Sequence, residues 1–358
     1  MSEGVARVAD GRAIRLGIVG CGRATATLHV PALAQVEGVR VAALADVDEA
    51  ALRRVAADAR PDRTAADYRD LVDDPTLDAI AVCVPAYAHA EVALAAMAAG
   101  KHVFVEKPLA LTLADCDRMA DAAARSGVLA TVGFNSRHHA QAPRARDAIR
   151  RGEIGAVDAI ASRLTSYHAQ APGWQARRAS GGGVLMELAV HHVDLWRWLT
   201  GAEVAEVFAY ARAGRGEDES AVLAARMGNG ALASAVFSAR TSRTDDLTVF
   251  GAAGSVSMSL YRFDGCERAG TGSVAGDVGA RVRAALNAAR ELPRALRDVR
   301  EGGAWRKSYR DQWRAFAASV RGGAPAGATL DDARRVQAVV LAAAESAAAG
   351  RSVRVAEA

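Results

Sequence analysis

Between residues 15 and 134 the chain repeats one pattern, a short apolar run rich in β-formers followed by an amphipathic helical stretch. The runs are RLGIVG (15–20), VRVAALAD (39–46), DAIAVCVP (78–85), HVFVE (102–106) and VLATVGF (128–134). Helical stretches follow at about 23–35, 48–59, 88–100 and 111–127, the last closed by Gly127. Apolar runs without alternation suit strands covered on both faces, and helical crossovers between them suit parallel pairing. The pattern therefore predicts an α/β fold with a doubly wound parallel sheet.

After about residue 140 the texture changes. A helix near 141–151 leads into VDAIASRLTS, AEVFAYARA, SAVLAARM, ALASAVFSAR and DLTVFGAAGSVSMS, interrupted by one helix at 184–199. These runs alternate or pair across Gly and Asn turns, Met227-Gly228-Asn229-Gly230 being the clearest, and predict a largely antiparallel sheet. The tail returns to helix at 309–320 and 330–348. A length of 358 residues suits about two domains. The expected division is 1–137 and 138–358, with the last helices able to pack back on the first domain.

With 51% hydrophobic and 24% charged residues, the chain is neither a disordered, a collagenous nor a disulfide-built type. No apolar stretch approaches the ~20 residues of a membrane helix, and the N-terminus has no apolar core of the signal-peptide kind. Cys21, Cys83, Cys116 and Cys266 are scattered without a C-x-x-C, so the expected location is a reducing cytoplasm. Net charge is +4, but residues 281–314 carry ten Lys/Arg against four Asp/Glu. That segment reads as a solvated arginine-rich helix face, or as a contact for an anionic substrate or a neighbouring subunit. No aromatic or groove-reading motif accompanies the charge, so no nucleic-acid partner is expected.

Gly20-Cys21-Gly22 follows the first strand and opens a helix. Gly20 allows a tight turn. Gly22 lets the backbone approach a pyrophosphate at the amide-rich helix start. The third position of this fingerprint is Thr25 rather than Gly or Ala, which predicts a helix packed slightly farther from the strand. Asp46, at the end of the second strand, stands where a ribose-binding acid belongs. Its carboxylate would accept from both ribose hydroxyls and repel a 2′-phosphate, favouring NAD over NADP. The alternative is a structural glycine turn with a strand-end Asp.

Only three of the 45 basic residues are lysines: Lys101, Lys107 and Lys307. An ammonium can give up its proton when desolvated or near other cations, whereas a guanidinium cannot. Lys107 lies in Glu106-Lys107-Pro108, closing the fourth strand, as Val84-Pro85 closes the third. Ligands of open α/β sheets bind beyond such carboxyl ends, so Lys107 is expected to face a nicotinamide. The alternative is a surface lysine paired with Glu106. The second cluster is Gly181-Gly182-Gly183, then Glu187, His191 and Asp194 on a helix. Spacings of four and three put these three side chains on one face, as suits an acid that orients an imidazole for proton transfer. His192, about 100° round the helix, reads as a packing or hydrogen-bonding residue. A metal on Glu187 and His191 lacks a further ligand of telling spacing, so none is expected.

Taken together, the chain resembles the Gfo/Idh/MocA family of glucose–fructose oxidoreductase and inositol 2-dehydrogenase type. The resemblance runs from GIVGCG through AVCVPAYAHAEVALAAMAAGKHVFVEKPLA and GGGVLMELAVHHVDLWRWLTG to ESAAAGRSVRV. It implies an N-terminal Rossmann domain and a C-terminal α/β domain with an open, mostly antiparallel mixed sheet. The outer face of that sheet is expected to form a homodimer or homotetramer. The resemblance further implies acid/base roles for Lys107 and His191. The position of Glu187 is usually Asp in the family, so the extra methylene is a departure that could re-aim the carboxylate. Arg23, Thr25, Pro85, His89 and Glu106 join Gly20, Gly22, Asp46 and Lys107 as cofactor-side residues. Asn135 and Arg137 match the edge of the active site, and Tyr167, His168 and Trp174 are candidate substrate contacts beside Glu187, His191 and Asp194.

The implied function is an NAD(P)-dependent oxidoreductase acting on a secondary alcohol or ketone of a sugar, sugar derivative or cyclitol. Two alternatives share the fold: a redox-neutral, NAD-dependent elimination of glycosidase type, and a non-catalytic dinucleotide-binding regulator.

Overall fold

The computed structural model describes residues 11–167, 173–262, 265–274, 276–322 and 327–356. The chain forms two compact units. One comprises the residues up to Asn135 together with Tyr309–Gln337, and the other Ser136–Ser308 together with the segment from Ala338 onward.

The first unit is built on strands β1 (Ile14–Val19), β2 (Val39–Ala45), β3 (Arg63–Ala65), β4 (Ala79–Val82), β5 (His102–Val105) and β6 (Ala130–Val132). Their order is β3-β2-β1-β4-β5-β6, and every pair is parallel. Five of these strands carry the apolar runs of the sequence. The sixth, β3, is short and partly exposed (Arg-Thr-Ala), so no apolar run marks it. Helices start and stop on readable signals. Asp48 caps Glu49–Ala59 by accepting from Ala50 and Ala51 N–H, and Thr112 caps Leu113–Ser126 by accepting from Asp115 N–H. Within this unit Trp313 and Phe316 of the returning segment bury their rings against Phe104 of β5.

The second unit holds β7 (Val157–Tyr167), β8 (Val204–Arg212), β9 (Ser220–Met227), β10 (Leu232–Ser238), β11 (Arg240–Gly251), β12 (Gly254–Ser259), β13 (Cys266–Gly270) and β14 (Val353–Arg354). They form one sheet in the order β13-β12-β11-β7-β10-β9-β8-β14. Only β10 and β7 are parallel among the described pairs; the rest are antiparallel. The Met227–Gly230 turn joins β9 to β10, with Gly230 N–H donating to Met227 C=O at 2.9 Å. The run DLTVFGAAGSVSMS divides into β11 and β12 at Gly251–Gly254. Like β3, the strands β13 and β14 and the bounds of the 23-residue helix Val278–Arg300, which bears most of the basic surplus, were not marked in the sequence.

Candidate functional site

In the first unit the cofactor-side residues lie along the carboxyl edge of the parallel sheet. Gly20 follows β1 with φ +101°, and a Cβ there would meet Cys83 C=O at 2.4 Å. Only glycine fits this combination of left-handed backbone and close approach to the strand beside it. Gly22 is exposed, and a Cβ there would meet nothing within 4 Å. That open flank at a helix start is the cradle a pyrophosphate needs. Asp46 pins the turn: its carboxylate accepts from Cys21 N–H at 2.6 Å and Asp48 N–H at 2.8 Å. One lone pair on each oxygen is thus spent, and the others suit ribose hydroxyls. Burial pushes the neighbouring Cys21 thiol up to about 12, which keeps it inert. These residues fit a dinucleotide.

Three of the expected cofactor-side residues have their polar atoms engaged within the protein. Thr25 is fully buried and its hydroxyl donates to Gly20 C=O at 2.6 Å, so it closes the glycine turn. His89 is also buried, with its ring nitrogens 2.8 Å from Pro108 C=O and 2.9 Å from Val84 C=O. It braces the two strand-end loops that carry Pro85 and Lys107. Glu106 is engaged from two sides. Its Oε1 lies 2.9 Å from His29 Nε2, and its Oε2 accepts from Lys107 N–H at 3.0 Å. Arg23 is exposed at the start of the helix after the turn, Pro85 stands half-buried just after β4, and Lys107 is half-buried just after β5.

Burial pushes the Glu106 carboxyl up, but the hydrogen bond from His29 and the charge and N–H of Lys107 outweigh it, leaving it below its ordinary value. His29, which no sequence spacing marked, is fully buried and sits at the end of a π-helical turn, Thr25–His29. The other lysines serve structure. Lys101 Nζ donates to Asp74 and Leu77 C=O at 2.6 and 2.9 Å, and Lys307 Nζ pairs with Asp298 at 3.0 Å. Scarcity of lysine therefore marks places that need an ammonium, not chemistry alone.

In the second unit the glycine cluster has a steric cause. A Cβ on Gly182 would lie 2.2 Å from Gln175 C=O, and one on Gly183, at φ +86°, would lie 2.3 Å from Asp218 Oδ1. Asp218 accepts from Leu185 N–H at 3.0 Å and lies 3.3 Å from Arg178 Nε, so it anchors the start of the following helix. Burial raises the Asp218 carboxyl to about 6, against the pull of the Leu185 N–H and Arg178.

The helix then passes through a π turn, Leu185–Ala189, before the α-helical Val190–Thr200. The α-helical phase expected between Glu187 and His191 is therefore altered, since a π turn advances each residue by less than 100°. Downstream, Trp196 Nε1 donates to Ser162 of β7 at 3.1 Å, and His192 Nε2 lies 3.0 Å from Asp245 of β11. His192 thus has a hydrogen-bonding role on the sheet. His191 is 7% exposed, while Glu187 is half-buried.

Asp194 and Arg137, both read as substrate contacts, hold one another. Arg137 Nε and Nη2 donate to the two carboxylate oxygens at 2.8 and 2.5 Å, and Asp194 is completely buried. A carboxylate so enclosed positions Arg137 and the helix. Asn135, at the end of the first unit, is buried. Tyr167 is well exposed, Trp174 is half-buried in the short turn Gly173–Ala176, and His168 lies outside the described residues. Among the described residues no three His, Cys, Asp or Glu side chains gather as a metal site requires, and no helix is long and apolar enough to cross a membrane.

Two family models match: the oxidoreductase family with NAD-binding Rossmann fold over residues 14–134, and the GFO/IDH/MocA C-terminal domain over 143–257. The chain is 35% identical over 196 residues to a myo-inositol 2-dehydrogenase of Thermotoga maritima, covering 55% of this chain and 58% of that protein. It is 33% identical over 204 residues to an inositol 2-dehydrogenase of Salmonella typhimurium, covering 55% and 57%. These matches span little more than half the length of either relative. A solved structure of a probable dehydrogenase from Thermotoga maritima superposes with a TM-score of 0.77 at 26% identity, covering 95% of this chain and 98% of that one. The paired domains, the glycine turn and the strand-end Glu106-Lys107-Pro108 place this chain in the GFO/IDH/MocA oxidoreductase family, with its NAD-binding Rossmann domain.

Proposed function

We propose that the chain is an NAD-dependent oxidoreductase acting on a secondary alcohol or ketone of a sugar, a sugar derivative or a cyclitol. The observation that carries this reading is Lys107, set at the carboxyl end of β5 on the same sheet edge as the open Gly22 turn and Asp46. The similarity to inositol dehydrogenases supports the substrate class. NAD, when bound, supplies the acceptor or donor of a hydride. Gly20, Gly22 and Asp46 would hold it, and the two backbone-anchored oxygens of Asp46 favour NAD over NADP by opposing a 2′-phosphate.

In the oxidative direction His191 takes the proton of the reacting hydroxyl. The Lys107 ammonium steadies the alkoxide as it develops. Glu187 holds a hydroxyl of the same substrate, and its length in place of Asp selects which one. Tyr167 and Trp174 supply further contacts. Reduction runs the same steps in reverse.

The outer face of the second sheet supports self-association. Tyr210, Val222 and Val236 pair across β8, β9 and β10, and all are exposed. Leu232 and Phe250 flank Ala159 in a second exposed row. An apolar ladder of this kind suits a homodimer or homotetramer. Four unpaired cysteines suit a reducing cytoplasm.

The test is a screen of cyclitols, aldoses, amino sugars and nucleotide-linked sugars with NAD and NADP, followed by absorbance of the reduced nicotinamide. Net NADH production from a polyol is the expected result. NAD binding without net reduction on any member of the panel would defeat the reading.

A further inference from the structure

The indole of Trp313, far along the chain from the glycine turn, donates from Nε1 to His29 Nδ1 at 3.2 Å. An Nδ1 that accepts leaves the ring proton on Nε2, and that nitrogen faces Glu106 Oε1 at 2.9 Å. The second carboxylate oxygen takes Lys107 N–H at 3.0 Å. A directed line of hydrogen bonds thus runs Trp313 to His29 to Glu106, and the Lys107 N–H donates to the same carboxylate from the other side. It has little room to rearrange. His29 is wholly buried and packs edge-on against Phe104, Tyr309 and Trp313 at 5.4 to 5.7 Å. Glu106 is backed by Gly133, where a Cβ would approach Oε1 to 3.1 Å.

We propose that His29, locked in one tautomer by Trp313, is a positioning residue that holds the Glu106 carboxylate as the resident anion of the Lys107 ammonium. This deepens the proposed function, since it rests on Lys107 being the group that meets the substrate oxygen. The titratable groups facing Glu106 are His29, Lys107, Cys83 and His89. Without a donor on Oε1 the carboxylate is no longer fixed in place, and the Lys107 ammonium, whose charge it feels, loses part of its counter-charge. A merely structural His29 would support packing and leave the placing of Glu106 alone.

The scarcity of lysine makes the test direct. The intact chain is dimethylated with 13C-formaldehyde and a reducing agent, and the methyl resonances are followed against pH. Lys107 is assigned by its loss in Lys107→Arg. Glu106→Gln and His29→Leu are expected to move the Lys107 midpoint down by at least ~0.5 pH. His29→Gln, whose amide still donates to Oε1, is expected to restore at least half of that shift. Trp313→Phe keeps the bulk and removes the donor, and is expected to shift the midpoint in the same direction. It decides the matter should His29→Leu not fold.

The proposal is overturned if Glu106→Gln moves the midpoint while folded His29→Leu or Trp313→Phe does not. It is equally overturned if none of the variants moves it. The measurement needs no substrate, so its failure is separable from failure of the oxidoreductase reading, which Lys107→Ala tests by turnover.

Discussion

Arg137 grips Asp194 with two hydrogen bonds, 2.8 Å from Nε and 2.5 Å from Nη2, and neither side chain is more than 6% exposed. The guanidinium also lies 6.0 Å from the Trp198 ring centroid. A buried pair of this kind costs desolvation to form, but losing one partner strands the other charge. Asp194→Asn should therefore lower unfolding free energy by about 3–5 kcal/mol in urea titrations. Joint replacement, Arg137→Met with Asp194→Leu, should recover most of that loss. Equal destabilisation of the single and double variants would show that the pair matters for its shape rather than its charge.

Lys107→Ala should lower kcat by at least ~100-fold, the scale of a lost acid/base group. NADH affinity, measured by fluorescence titration, should hold. Near-normal turnover in this variant would remove Lys107 from the chemistry.

Asp46→Ser should narrow the preference for NAD over NADP. Because Asp46 also holds Cys21 and Asp48 N–H, affinity for both dinucleotides should fall as well. Comparing Kd for NADH and NADPH separates the two effects. Unchanged selectivity would place the ribose anchor elsewhere.

Acid should destabilise the second unit through His138 and His139. Burial holds each down to about 4, helped by the Arg137 charge for His138 and the Arg294 charge for His139. Unfolding lets both take protons at their ordinary value near 6.5, so their contribution is complete above that pH. It is lost as pH falls toward 4. Asp218 works in the opposite sense. Its carboxyl sits at about 6 when folded, so the stability it withholds at neutral pH returns as pH falls through that range. His138→Gln and His139→Gln should together flatten the decline in Tm between pH 6.5 and 4, and Asp218→Asn should steepen it. The reverse order would refute this assignment.

Much of the fold could be read from local chemistry, because buried parallel strands must be apolar along their length and helix ends must be capped. The edge strand β3 escaped because Arg63 and Thr64 lie at the sheet margin and need no apolar run. The glycine turn, Asp46 and Lys107 were visible because each is tied to the end of one strand. Thr25, His89 and Asp194 were recognised as special positions, but their internal partners were not legible. A sequence shows that a polar residue sits at an unusual place, not which buried atom consumes its hydrogen bonds. His29 and Trp313 left no trace of either kind, since their meeting depends on the returning segment Tyr309–Gln337.

The π turn at Leu185–Ala189 has a consequence for how this scaffold diversifies. Such a turn behaves as a single inserted residue confined to one loop of helix, so its removal need not rotate the turns C-terminal to it. There, the bonds of Trp196 to Ser162 and of His192 to Asp245 fasten the helix to the sheet independently. Shortening this stretch by one residue would re-aim Glu187 while the anchored portion keeps its seat. The stretch that bears Glu187 can thus change its aim without disturbing the sheet contacts of the turns that follow.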